Sequence, residues 1–358
     1  MKIIKNYKHK VASHCESGIV RNLLNFNGID VPESIVFGIG AGVDFVYLNF
    51  LKYFSPFPLT IVRSQMGKIF KNIEKLCNIN FFYKQLKNTD ATIKKINDLI
   101  DLDIPVAVCV DMFYMKYLPP FMHIHVPFHF ITLYGRDENN YAVSDPYFQN
   151  VATINTETLK TAISTHAMFS KDNLVTYIVN VPENINWEKA IIKGLRRTCN
   201  KMLPPSIINI YPIMGVTGIK TFAKKILDWP KEYKGIPLRE GIIFTATGFE
   251  EQGTGGGAFR LIYGAFLQEA SKILNLPGLA ELAERMVENG KEWREASRKL
   301  IKIGKEIPKS NKVFPDWYSK NEKNLFKALS EVSNDYLKRA EIEKMIFNDL
   351  KKILKNIK

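Results

Sequence analysis

The 358-residue chain is 46% hydrophobic, 12% aromatic and 24% charged, an ordinary globular composition with length for about two domains. No stretch approaches the roughly 20 uninterrupted apolar residues of a membrane-spanning helix, and the basic opening MKIIKNYKHK lacks a following signal-peptide core, so a cytoplasmic location is expected. Lys and Arg outnumber Asp and Glu by 50 to 36, and the resulting +14 favours an anionic partner (nucleic acid, lipid or acidic protein) unless it only solvates lysine-rich helices such as the C-terminal LKKILKNIK.

In SHCESGIVRNLL, residues 13–24, Cys15 stands where a helical pattern begins: Ile19, Val20, Leu23 and Leu24 recur at helical spacing until NFNG at 25–28 stops the helix. Pro32 opens a shorter helix through ESIVF, ended by the glycine-rich GIGAG at 38–42, which is read as close packing beneath the first helix. DATIKKINDLIDLD is amphipathic, with Ile93, Ile96, Leu99 and Ile100 on one face. The period then shortens. IPVAVCVDMFY, FHFITLYGRD and NYAVSDPYF read as three successive strands, the last two joined by a hairpin turn at Asp137 to Asn140, and LVTYIVNV at 174–181 is a further strand. From about residue 185 the texture is helical. A boundary near Val181–Pro182 therefore divides a mixed α/β segment, 1–181, from a mainly helical one, 182–358, whose long final helices make a homodimer plausible.

The four cysteines, Cys15, Cys77, Cys109 and Cys199, are scattered with no C-x-x-C pair, which argues against a disulfide framework or a structural zinc site. His123 and His125 in HIH have no third ligand at a recognisable spacing, so no metal is expected. Cys15 is different. At a first helical turn it has the helix dipole and free N–H groups beside it. His129 alternates with Phe128 and Phe130 on a strand, and Asp145 lies sixteen residues on, at the end of the next strand. If those strands pair, Asp145 comes alongside His129 and orients its ring. Cysteine on an N-terminal helix, histidine on a strand and aspartate on its neighbour is a Cys-His-Asp triad in papain-like order. Each residue alone also fits the core: a cysteine as a small apolar group, a histidine satisfied on a strand, SDP as a plain turn.

The same segments carry a resemblance. HCESGIVRNLLNFNGIDVPESIVFGIGAGVDFVYL, PVAVCVDMFYMKYLPP, FHFITLYGRD and VSDPYF resemble the N-terminal domain of the butirosin-biosynthesis acyltransferase family, and FEEQGTGGGAFRLIYGAFLQEAS resembles its C-terminal helical domain. The resemblance implies an α+β, papain-like fold with a helical domain covering the site. It implies transfer of an acyl group from an acyl carrier protein thioester to an amine, with Cys15 acylated, His129 as base and acid, and Asp145 as orienter. The donor would bring its own 4′-phosphopantetheine, so no cofactor is expected; the partners would be the carrier and a small amine, without nucleic acid or membrane. Papain-like peptidases place an oxyanion-donating glutamine six residues before the cysteine; here that position is His9, which would donate from a ring nitrogen unless another group serves. GTGGGAF at 253–259 is read as a place where backbone at Gly255 and Gly256 approaches a pantetheine arm or the Cys15 cleft, with Arg260 to meet phosphate, or else as a plain flexible turn that opens the next helix. A cysteine peptidase or amidohydrolase with the same triad is the alternative, and a catalytically silent binding module is the third.

Overall fold

A computed structural model describes residues 1–49, 55–167, 170–205, 213–251 and 255–357. In chain order, β1 (Lys2–Ile3) precedes α1 (Cys15–Phe26), α2 (Glu33–Ile39), β2 (Val43–Leu48), β3 (Leu59–Arg63), α3 (Lys68–Cys77) and β4 (Asn80–Gln85). Then follow α4 (Thr89–Asp101), β5 (Val106–Val110), β6 (His129–Arg136), β7 (Asn140–Ser144), β8 (Ala152–Asn155), α5 (Thr156–Ser164) and β9 (Leu174–Asn180). Helices make up the rest: α6 (Trp187–Met202), α7 (Gly215–Lys225), α8 (Trp229–Glu232), α9 (Ile236–Glu250), α10 (Arg260–Leu274), α11 (Pro277–Glu306) and α12 (Phe314–Lys355).

These elements form two units. The first joins Met1–Val36 to Met66–Asn186, and the second joins Phe37–Gln65 to Trp187–Lys358. The first unit is an α+β domain. Its antiparallel sheet runs β4-β9-β5-β6-β7-β8, with β1 added beside β6. On one face, Ile93, Ile96, Leu99 and Ile100 of α4 and Leu159 of α5 pack against Val106, Val108, Ile131, Leu133 and Val175. This is the stripe that the period of α4 predicts, and Asn88 caps the helix by accepting a 2.9 Å bond from the Ala91 N–H. On the other face α1 lies along β6, with Tyr7 stacked on Tyr134 at 5.0 Å.

The second unit is mainly helical, with the small β2–β3 sheet built into it. Phe45 of β2 stands among Phe222, Phe249 and Trp293 at 6.0–6.1 Å between ring centres. That burial is why residues 37–65 leave the N-terminal segment and count with the helices, a correction to the division at 181–182. GIGAG also packs closely, but within this unit. A Cβ at Gly38 would overlap the Phe266 ring, and one at Gly194 of α6 would lie 2.7 Å from the Ile39 Cα. The glycines thus seat α6 and α10 on this segment.

Candidate active site

Cys15 is the first residue of α1, and two acceptors, the buried His14 and the half-buried Glu33, fix the approach to it. His14 is the N-cap, its side chain accepting from the Ser17 N–H. Glu33, the first residue of α2, accepts from the Ser13 N–H at 2.9 Å, the His14 N–H at 3.0 Å and the Ser17 hydroxyl at 2.9 Å. Burial holds the Glu33 carboxyl above its ordinary range, and those donors pull against the rise. The cysteines now separate. Cys15 is partly exposed while Cys77, Cys109 and Cys199 are buried, and burial pushes the Cys77 and Cys199 thiols up to about 12.

His129 opens β6 with 5% of its surface exposed. Thr132 pairs with Ser144 across β6 and β7, so Asp145, one step past the strand, arrives diagonally opposite His129 on the same face. The His129 Nε2 lies 2.9 Å from Asp145 Oδ2, and the ring also bonds the Cys15 thiol, for which Nδ1 is the remaining nitrogen. Burial alone would lower the basicity of His129. The Asp145 charge and hydrogen bond, then the Cys15 side chain, outweigh it and raise the imidazole to about 10. Asp145 shifts the complementary way: burial pushes it up, but His129, the Tyr147 N–H and the Tyr117 hydroxyl leave it below the ordinary carboxylate value. The structure therefore brings Cys15, His129 and Asp145 together with a protonated imidazole between sulfur and carboxylate.

Sequence reasoning missed Tyr117. Its hydroxyl donates to Asp145 Oδ2 at 2.9 Å, the oxygen that His129 also uses. It sits in irregular chain before Pro119, so no periodicity marks it. A hydrogen bond to a charged group contributes about 1.5–3 kcal/mol. Tyr117→Phe should cost that much in thermal unfolding and let the Asp145 carboxyl rise. Because Asp145 is depressed on folding, its stabilising contribution is present above the ordinary carboxylate value and is lost as pH falls. In the variant that loss, and the acid limb of Cys15 alkylation, should begin at higher pH; identical profiles would make the hydroxyl idle.

His9 does not take the oxyanion role expected of it. Its Nδ1 accepts from the Ser144 hydroxyl at 2.8 Å, and its Nε2–H points at the carbonyls of Phe148 (3.0 Å) and Gln149 (3.2 Å). Both ring nitrogens are committed to the chain on either side of Asp145, so His9 braces that turn. Arg260 is a second correction. Fully buried, it donates from Nε and Nη2 to Glu343 at 2.9 and 3.0 Å and from Nη1 to the Ala258 carbonyl at 2.7 Å. With all three nitrogens bonded and buried, the guanidinium is not presented to a phosphate. Gly255 and Gly256 have φ of 63° and 85° and continue into Gly257, Ala258 and Phe259, also left-handed; Gly253 lies outside the described residues. The Gly257 N–H is tied to Glu250 at 3.0 Å, so this turn reads as the geometry that delivers Arg260 to Glu343.

Among the described residues no group of three or more His, Cys, Asp or Glu side chains is placed to hold a metal, and no helix is long and apolar enough to cross a membrane. His123 bonds the Leu118 carbonyl and His125 bonds Asp111.

A cysteine at a helix start, facing a histidine that an aspartate orients from the neighbouring strand of an antiparallel sheet, is the build of a papain-like cysteine enzyme. Comparison with known proteins gives the family. Residues 14–146 match the family described as butirosin biosynthesis protein H, N-terminal, and residues 157–339 match a domain of unknown function (DUF4872). The chain belongs to the family that these two domains define. A crystal structure described as a C39-like peptidase from Bacillus anthracis is similar over 51% of this chain and 98% of its own, at 14% identity and a TM-score of 0.35. No curated protein matches the sequence.

Proposed function

We propose that the protein is an amide-forming acyltransferase working through a Cys15 acyl-enzyme. The observation that carries this reading is the His129 imidazole held between the Cys15 thiol and the Asp145 carboxylate, its Nε2 2.9 Å from Asp145 Oδ2. The Cys15 sulfur attacks the carbonyl of an acyl group borne as a thioester on the phosphopantetheine of an acyl carrier protein. The C–S bond to pantetheine breaks, and the departing thiolate takes the proton of His129. The amine acceptor then attacks the acyl-enzyme, neutral His129 removes its proton, and Cys15 leaves as the amide forms. The Cys15 N–H, at the positive end of α1, is the oxyanion donor nearest the chemistry.

A thioester already carries the free energy of amide formation, so neither nucleotide nor metal is needed. Exchange of one thioester for another is close to neutral, which suits a cysteine. The match to a butirosin-biosynthesis family supports transfer in biosynthesis over peptide hydrolysis. The same three residues would also serve a hydrolase, and the acyl-enzyme's fate separates the two. Incubated with acyl-pantetheine and carrier-borne thioesters, the wild type should gain the acyl mass, Cys15→Ala should not, and added amine should discharge it as amide. An adduct retained in Cys15→Ala, or none in the wild type, would sink the acyl-enzyme. Release of free acid regardless of amine would assign a hydrolase.

A further inference from the structure

The net charge is not shared between the two units. The 50 basic and 36 acidic residues divide as 16 and 15 in the first and 34 and 21 in the second, so nearly all of the +14 belongs to the helical unit. Within it, α6 carries five basic residues (Lys189, Lys193, Arg196, Arg197 and Lys201) against one acid, Glu188, and packs on the C-terminal part of α12. The guanidinium of Arg196 on α6 reaches the carbonyls of Leu354 (3.3 Å) and Ile357 (3.1 Å), while the Cys199 thiol meets the Phe347 carbonyl at 3.9 Å. As α6 advances from 196 to 199 its partners on α12 retreat, so the two helices run antiparallel here.

Between them lies a cavity of about 310 Å³ lined by Arg196, Cys199, Asn200, Lys351, Leu354 and Lys355. Cys199 and Leu354 are buried and make an apolar floor; Arg196, Asn200, Lys351 and Lys355 are exposed, and Lys193 extends the basic edge one turn along α6. Some of this charge has an ordinary purpose. Arg196 caps the end of α12, and Lys355 complements the negative end of its dipole. Lys193 and Lys351 do neither. Asp349, the acid on this stretch of α12, is bound by Arg285 and Lys352, each at 2.9 Å.

We propose that this groove between α6 and α12 is the docking surface for an acidic helix of a partner protein. Residues 193–200 advance about 10 Å along the axis at 1.5 Å per residue, roughly two helical turns. Cations on both rims with an apolar floor suit a helix bearing acids on its flanks and an apolar ridge between them. Complementary charge of this kind steers encounter and fixes register. The identification of that partner as the acyl carrier protein rests on the transfer reading above; the groove and its charge do not.

The test uses the full chain and a fluorescently labelled, acidic acyl carrier protein in holo form. Binding to the wild type should weaken as salt rises, and Lys193→Glu with Lys351→Glu should weaken it about tenfold or more. Acylation of Cys15 by acyl-pantetheine, which lacks the protein, should be unchanged, showing that the variant is folded. The neutral pair Lys193→Gln with Lys351→Gln should fall between. Absence of binding to the wild type, equal binding by the charge-reversed variant, or displacement by millimolar inorganic phosphate at constant ionic strength would overturn the docking surface. Failure of acyl-pantetheine to acylate Cys15, with carrier binding and its charge dependence intact, would remove the transfer reading and leave the groove standing.

Discussion

Treated with iodoacetamide in its native state near neutral pH, the protein should gain one carbamidomethyl group, on Cys15. Cys77, Cys109 and Cys199 should react only after unfolding. The contrast is physical: those three thiols are buried, and burial pushes two of them up to about 12. Cys15 faces an imidazole that stays protonated to about 10. His129→Ala removes that cation. An unassisted thiol in the ordinary ~8.5 range is only about 0.3% thiolate at pH ~6, so labelling there should slow by two orders of magnitude or more. Iodoacetate reports the charge directly. Its preference over neutral iodoacetamide should hold while His129 is cationic and fall as pH passes about 10. Stability follows the same sign. His129 holds its proton more tightly folded than unfolded, so its contribution is complete below the ordinary value of 6.5 and drains away as pH rises through about 10. Uniform labelling of all four cysteines, or unchanged labelling of Cys15 in His129→Ala, would return Cys15 to a structural role.

The largest stability effect is expected at Arg260. It and Glu343 form an ion pair with both side chains at 0% exposure. Glu343 Oε1 also accepts from Asn289 at 3.1 Å and from the Trp293 indole at 2.8 Å, while the guanidinium lies 4.6 Å from the Trp293 ring centre. Removing one member of a buried pair strands the other, at a cost of about 3–5 kcal/mol. Arg260→Met should therefore lower the melting temperature by roughly 6–20 °C for a unit of about 200 residues. Replacing both partners is different, because no charge is then left without its counter-ion. Arg260→Met with Glu343→Leu should recover part of the loss, the remainder being the Asn289 and Trp293 donors left without an acceptor, and additive losses in that double variant would show that the pair is not energetically coupled.

The candidate site was legible where its geometry is local. Cys15 is marked by the start of a helical period, and His129 and Asp145 are separated only by a hairpin. Its turn is signalled by Asp137 to Asn140 and closed by a 3.0 Å bond from the Asp137 N–H to the Asn140 carbonyl. The supporting residues were hidden because their partners are distant in sequence. Glu33 steadies the approach to Cys15 from another helix, and Tyr117 reaches Asp145, 28 positions further on, from an irregular segment that precedes both strands. Arg260 misled for the same reason. An arginine after a glycine-rich turn looks available for phosphate, and nothing local reveals Glu343, 83 residues further on. The placement of residues 37–65 was equally hidden. Nothing local to VDFVYL reveals which core it enters; the aromatic side chains of α7, α9 and α11 decide that.

That placement bears on how the protein is made. The strands at 43–48 and 59–63 leave the ribosome early, yet the helices they join begin at Trp187, 122 residues after Gln65. At about 5–20 residues per second of synthesis, Phe45 waits about 12–50 s for Trp293, 248 residues further on, to complete the cluster that buries it. During that interval an apolar loop hangs from a nascent domain whose own parts are arriving on either side. A protein with this chain order depends on a holding chaperone, or on slow collapse of the first unit, more than two domains arranged end to end would.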